Sequence, residues 1–261
     1  MSNLVKTELR DSVFLIGLNR ADKRNAMNFE MMKALAAAYG EFEANTDARV
    51  GLLYGEGDHF CAGLELPDCA EHLMSPKSES WLEADERDPW SILTERPTRP
   101  VVMAAQGACF TVGVELTLAS DIVVAGDNAK FAQLEISRGI FPFGGGTIRW
   151  PLASGYQNAM RYLLTGDVFD AEEAKRLGMV QDIVAPGDVF DHSFSMAKRI
   201  AAHAPRGVRA TLRTARRAQN HGLEAAADTL YPEVRSIYST EDAAIGIKTF
   251  MDKKRPQFTG K

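Results

Sequence analysis

Residues 101–121, VVMAAQGACFTVGVELTLASD, decide how the rest of the chain is read. Val101 to Ala105 is a continuous apolar run too short for a helix, Gly107 breaks it, and Val112 to Ala119 reads as one or two turns of a buried helix. Glu115 sits in that helix with Val112, Gly113, Val114, Leu116 and Leu118 around it, so no rotation gives it a polar face. An ionised carboxyl buried without a partner is costly, and the usual relief is a raised pKa. Two readings follow: a structural carboxylate paired with a distant arginine, or an acid or base tuned for chemistry.

Upstream, Val13 to Leu18 reads as a strand. Asn28 is a plausible N-cap for a helix whose Met31, Met32, Leu35, Tyr39 and Phe42 recur at helical spacing and pack in the core. Val50 to Tyr54 is a further strand, unbroken as one covered on both faces should be. The stretch after it, GEGDHFCAGLEL (55–66), is not a phosphate cradle: Gly55, Gly57 and Gly63 miss the G-x-G-x-x-G spacing, and no Gly-Lys-Ser/Thr follows. His59, Cys61, Cys69 and His72 lack the paired spacing of a zinc site, so no metal is expected, and Cys61 reads as a small buried residue in a tight turn. Residues 67–99 turn acidic and irregular around Trp81 and Trp90, which suggests a mobile surface insertion placed to cover a pocket.

Downstream, Ile122 to Ala125 is a strand. AKFAQLEISRGIFPFGGGTIRW (129–150) then carries Glu135 among Phe131, Ala132, Leu134 and Ile136. Two glutamates in apolar company, twenty residues apart and each near a glycine-rich turn, can divide acid and base work over one substrate or water. Gly139 and Gly144 imitate half of a Walker loop, but Gly145 stands where its lysine belongs, so phosphoryl transfer is not indicated. Residues 158–185 read as helix, turn, a second helix capped by Asp170, a stop at Gly178 and a strand; beyond about 188 only helices are apparent.

The whole chain has 261 residues, 45% hydrophobic and 25% charged, as in one large domain or one with a small appendage. A net charge of −5 gives no general attraction to DNA or to anionic membranes. Three cysteines in no regular framework suggest a reducing, cytoplasmic setting. The run from 101 to 126 does not read as a membrane span, because Gln106, Glu115, Asp121 and two glycines interrupt it. Arg206, Arg209, Arg213, Arg216 and Arg217 fall largely on one helical face, expected to be solvated, with RNA or an acidic partner as the alternative.

Several pieces in fixed order carry a resemblance. They are Asn19-Arg20 with Asn25-Ala26-Met27, Phe60-Cys61-Ala62-Gly63, Pro100-Val101-Val102, Gly107 to Asp121, Phe131 to Gly146, Leu164-Thr165-Gly166, Ala171 to Val180, and the tail from Phe250 to Phe258. In order and spacing the chain resembles the crotonase superfamily, the enoyl-CoA hydratase and isomerase family.

That resemblance implies an α/β fold: a crotonase-type ββα spiral core over 1–195 and a C-terminal α-helical trimerisation region over 196–261, assembling as a homotrimer or dimer of trimers. It implies an acyl-CoA substrate, coenzyme A entering with the substrate and not as a separate cofactor. The backbone N–H groups of Leu64 and Val112 would form an oxyanion hole; Glu115 would activate water for the β-carbon and Glu135 would exchange a proton with the α-carbon. Lys23 and Arg24 would lie near the 3'-phosphate of CoA, Ala62, Gly63 and Phe143 along the substrate, and Phe250 and Lys254 would reach the nucleotide from a neighbouring subunit. This chain reads Thr111-Val112-Gly113 where hydratases usually have three glycines, Leu64-Glu65 where many have Ala-Asp, and Phe143 where a glycine is common. The expected activity is hydration of a 2-enoyl-CoA; an isomerase, an acyl-CoA hydrolase, or a non-catalytic CoA- or RNA-binding protein are the alternatives.

Overall fold

Among the residues described by the computed structural model, 3–75 and 81–261, nine strands sort into two sheets. The middle of the expected insertion, 76–80, lies outside the described residues. The strands are β1 (Val5–Arg10), β2 (Val13–Leu18), β3 (Val50–Gly55), β4 (Val101–Ala105), β5 (Ala108–Phe110), β6 (Ile122–Gly126), β7 (Lys130–Ala132), β8 (Phe169–Asp170) and β9 (Asp182–Val184). The helices are α1 (Phe29–Ala44), α2 (Leu66–Leu73), α3 (Val112–Ala119), α4 (Gly146–Ser154), α5 (Tyr156–Thr165), α6 (Ala171–Arg176), α7 (Val189–Ala201), α8 (Pro205–Tyr238) and α9 (Glu241–Met251).

The larger sheet has the order β1-β2-β3-β4-β6-β9, and every pairing beyond the β1–β2 hairpin is parallel. Parallel strands covered on both faces need apolar side chains at every position, hence the unbroken runs at 13–18 and 101–105. Alternation then divides them. Val13, Leu15, Val50, Leu52, Val102, Ala104 and Val124 pack with Val189, Ala197 and Ala201 of α7, whereas Phe14, Ile16, Leu53, Met103 and Val123 pack into the main core with α1.

The smaller sheet is β5-β7-β8, and the segment after β3 extends it through a bridge from Cys61 to Cys109. The repeating unit is therefore a strand in the large sheet, a strand or bridge in the small one, then a helix. It occurs as β3, Cys61, α2 and as β4, β5, α3, and β6 and β7 begin a third copy that passes through a 3-10 turn at Glu135–Arg138 before α4. This is the expected ββα spiral. Crossing from β4 to β5 requires Gly107 (φ +57°), where a Cβ would collide with the Asp58 carbonyl. The three-residue strands β5 and β7 escaped the sequence reading because they are too short to show a period-2 pattern.

The boundary placed at 195/196 falls inside α7, which covers one face of the large sheet. The helical tail proper begins at Pro205, and Gly222 (φ +87°) breaks α8 so that Arg213 meets Glu233 at 2.6 Å. The arginine stripe is a solvated face with one exception. Arg216 departs from it, lying against Asp121 (2.8 Å) and donating to the Pro97 carbonyl, whereas Arg206, Arg209, Arg213 and Arg217 are exposed as expected, Arg217 donating to the Ala225 carbonyl. Among the described residues, no helix is long and apolar enough to cross a membrane.

Candidate active site

Two turns from different parts of the chain meet at the edge of the small sheet. Residues 24–27 run beside 62–65: the Ala62 N–H donates to the Arg24 carbonyl (2.9 Å), Met27 N–H to Gly63 (2.8 Å) and Glu65 N–H to Met27 (2.7 Å). Buried Asn25 anchors this turn, its Nδ2 donating to the Glu56 and His59 carbonyls at 3.0 and 2.8 Å while its Oδ1 accepts from the Arg20 amide at 2.8 Å. Lys23 and Arg24 are consequently exposed at the lip of the Ala62–Leu64 turn. Glu65 has an evident local partner: its carboxylate pairs with Arg20 at 2.6 Å.

Gly63 (φ +106°) turns the chain so that the Leu64 N–H points at Thr111, donating to its Oγ1 at 3.2 Å. Val112 is the first residue of α3, and among the described residues nothing accepts its N–H. Such an orphan amide at a helix start is a ready donor to developing negative charge. The Val112 carbonyl accepts the Trp90 indole N–H at 3.0 Å. Trp90 is held in turn by Asp88, whose carboxylate accepts the amides of Trp90, Ile92 and Leu93 at 3.0, 2.6 and 2.8 Å. The expected surface insertion is surface only in part: residues 83–85, 92, 93 and 95 are exposed, whereas Asp88 and Trp90 are buried, with Trp90 against the start of α3.

Both glutamates are buried, Glu115 fully and Glu135 at 4% exposure. Glu115 Oε1 accepts the Gly146 N–H at 2.9 Å, and Glu135 Oε1 accepts Nε2 of Gln133 at 2.9 Å. On each, Oε2 is buried and has no hydrogen-bond partner among the described residues. Loss of water raises both acids: Glu115 is pushed up to about 8, the neighbouring charge of Glu135 adding to the effect, and Glu135 is pushed up to about 7. Of the two readings of Glu115, the distant-arginine pair is not what forms; among the described residues no cation lies within ion-pair distance of it. Gln133 was missed in the sequence, where a lone glutamine in a strand-like run carries no signal.

Gly144 and Gly146 are the glycines that the Glu115 carboxylate packs against: a Cβ on Gly144 would lie 2.6 Å from Oε2, and one on Gly146 would lie 3.1 Å from Oε1. Phe143 precedes them half-buried in the same turn. Leu64, Val112, Glu115, Ala62 and Gly63 thus gather around one place with Glu135 within electrostatic reach. Phe250 and Lys254 do not join them in the single chain: both are exposed, Phe250 on α9, which packs on α8, and Lys254 in the segment that follows α9. The four residues weighed as metal ligands are otherwise engaged. His59 Nδ1 accepts the Ala108 N–H at 3.0 Å, His72 stacks on Phe29 at 3.6 Å, and Cys61 and Cys69 are buried thiols with pKa values raised to about 12 by desolvation.

Over nearly its whole length the chain is similar to proteins of one family. The family model described as enoyl-CoA hydratase/isomerase matches residues 8–261. The chain is similar to 2,3-dehydroadipyl-CoA hydratase of Escherichia coli (30% identity, covering 100% of both chains) and to (E)-benzylidenesuccinyl-CoA hydratase of Thauera aromatica (32%, covering 98% of this chain and 99% of the relative). Among solved structures it superimposes on a probable enoyl-CoA hydratase/isomerase from Mycobacterium abscessus with a TM-score of 0.95 at 44% identity, covering 99% of each chain. An enoyl-CoA hydratase from Mycobacterium tuberculosis gives 0.89 at 29% identity, covering 100% of each.

Proposed function

This chain belongs to the enoyl-CoA hydratase/isomerase family, and on that premise we propose that it adds water across the double bond of a 2-enoyl-CoA thioester. The observation that carries this reading is the pair of buried glutamates, each with one oxygen bound by the protein and the other without a partner among the described residues. In the proposed reaction the thioester oxygen is received between the Leu64 turn and the Val112 amide, where negative charge grows as the enolate forms. Glu115 removes a proton from water while the water oxygen bonds to the β-carbon, and the double-bond electrons move to the thioester oxygen. Glu135 then gives a proton to the α-carbon as the enolate collapses. The pair ends with as many protons as it began.

In this reading CoA is part of the substrate and no further cofactor is required. Lys23 and Arg24 attract its phosphates, while Ala62, Gly63 and Phe143 flank the thioester. Exposed apolar side chains at Phe141, Ile148, Leu152, Tyr156 and Leu164 support a homotrimer or dimer of trimers, in which Phe250 and Lys254 reach a neighbour's nucleotide. Buried free thiols fit a reducing cytoplasm.

The test is a pair of assays on one variant. Glu115→Gln is expected to abolish loss of the conjugated-thioester absorbance while deuterium still exchanges at the α-carbon of a saturated acyl-CoA. Equal loss of both activities in a folded variant would overturn the division of roles, and conversion of a 3-enoyl-CoA without hydration would point to an isomerase.

A further inference from the structure

Thr111 occupies a backbone conformation (φ 50°, ψ −113°) that favours glycine, and it is the one β-branched residue with positive φ among the described residues. Its main chain is held there by two hydrogen bonds, Thr111 N–H to the Ala132 carbonyl at 2.8 Å and Glu115 N–H to the Thr111 carbonyl at 3.1 Å. A strained non-glycine residue at a functional site invites the question of what its side chain supplies.

The ordinary answer does not apply. Thr111 is the N-cap of α3, yet its hydroxyl makes no capping bond to the helix. It turns the other way, to the Leu64 N–H at 3.2 Å, close enough to Gly63 that a Cβ on that glycine would lie 2.6 Å from Oγ1. The hydroxyl thus takes up one of the two amides otherwise available to a thioester oxygen. Its own proton has no acceptor among the described residues, and the side chain is only partly covered.

We propose that Thr111 is a catalytic residue: its hydroxyl donates directly to the thioester oxygen, with the Leu64 amide behind it and the Val112 amide beside it. A hydroxyl that accepts from an N–H is polarised into a stronger donor, so Leu64 acts through Thr111. The proton stays on Thr111 throughout, and the oxygen it faces carries the enolate charge. This proposal rests on the acyl-CoA reading of the site and deepens it.

The experiment uses the full chain with Thr111→Val, which keeps the β-branch and removes the hydroxyl, and Thr111→Ser, which restores it. Butyryl-CoA, isotope-labelled at the thioester carbonyl, cannot be hydrated, and its infrared band when bound reports hydrogen bonding to that oxygen. Thr111→Val is expected to lower kcat for crotonyl-CoA hydration on the order of 100-fold and to move the band toward its position in water-free solvent; Thr111→Ser should restore both. If Thr111→Val binds labelled butyryl-CoA with an unshifted band and wild-type kcat, the proposal is overturned while the acyl-CoA reading stands. If Thr111→Gly, with both amides bare, is faster than wild type, the hydroxyl obstructs the oxygen site and the proposal is likewise overturned. If the wild-type protein binds and converts no acyl-CoA, the underlying reading falls and takes the proposal with it.

Discussion

The Trp90 indole N–H donates to the Val112 carbonyl across 3.0 Å, although 22 residues separate the two in sequence. This bond ties the buried end of the insertion to the first peptide of α3, the same helix that carries Glu115. A loop with this anchor is part of the site's frame, and one carboxylate, Asp88, holds it by accepting the amides of Trp90, Ile92 and Leu93.

Trp90→Phe keeps an aromatic ring and removes the N–H. It is expected to lower stability by about 1 kcal/mol and kcat/KM about tenfold, measured by urea denaturation and steady-state kinetics. A variant with wild-type kinetics would show that the bond does not hold the α3 amide in place.

Gly144→Ala puts a methyl group 2.6 Å from Glu115 Oε2 and 2.9 Å from the Trp90 ring, where neither neighbour has room to retreat. The expected outcome is a loss of about 1 to 3 kcal/mol from overpacking together with a fall in hydration on the order of 100-fold. The paired measurements are a denaturation curve and the absorbance assay; Gly187→Ala, which meets nothing within 4 Å, serves as the control.

Both buried carboxyls of the candidate site have pKa values raised from the ordinary 4.5, to about 8 for Glu115 and about 7 for Glu135. The folded protein therefore holds these protons more tightly than the unfolded chain does. Their contribution to stability is complete below about pH 4.5 and is lost as pH rises through 7 and 8. Replacing both by glutamine should make the protein more stable than wild type at pH 9, by several kcal/mol, with the difference shrinking toward pH 5. Hydration, which needs one acid and one base in the pair, should follow a bell with its maximum between the two titrations. A stability difference independent of pH would show that these groups do not titrate in this range.

Arg216→Ala strips the partner from Asp121, whose side chain is 14% exposed and also receives the Val101 N–H at 2.9 Å. Leaving that charge uncompensated should destabilise the fold by about 3 kcal/mol. Arg216→Ala combined with Asp121→Asn should lose less than the two single changes together, since the residues are coupled. Strict additivity in urea denaturation would contradict the pairing between α8 and the start of β6.

Much of this protein is determined locally by its residues. The apolar runs at 13–18, 50–55 and 101–105 are strands whose side chains are apolar on both faces because α7 covers one face of the sheet and α1 with the main core covers the other. Asn28 and Asp170 start helices by accepting the amides of Met31 and Glu173, as short polar side chains at a helix entrance do. Glu115 and Glu135 stood out because carboxyls in apolar company are rare without a purpose, and the resemblance supplied their roles. Tertiary structure alone decided the rest, because it depends on distances between residues far apart in the chain. Nothing in the letters says that Trp90 is buried against α3, that Gln133 steadies Glu135, or that Arg216 leaves the solvent for Asp121. The Thr111 hydroxyl lies on the Leu64 amide, 47 positions away, only because the spiral stacks the turn after Gly63 on the start of α3. Local preference sets where strands and helices begin; which donor meets which acceptor is set by how the turns of the spiral pack.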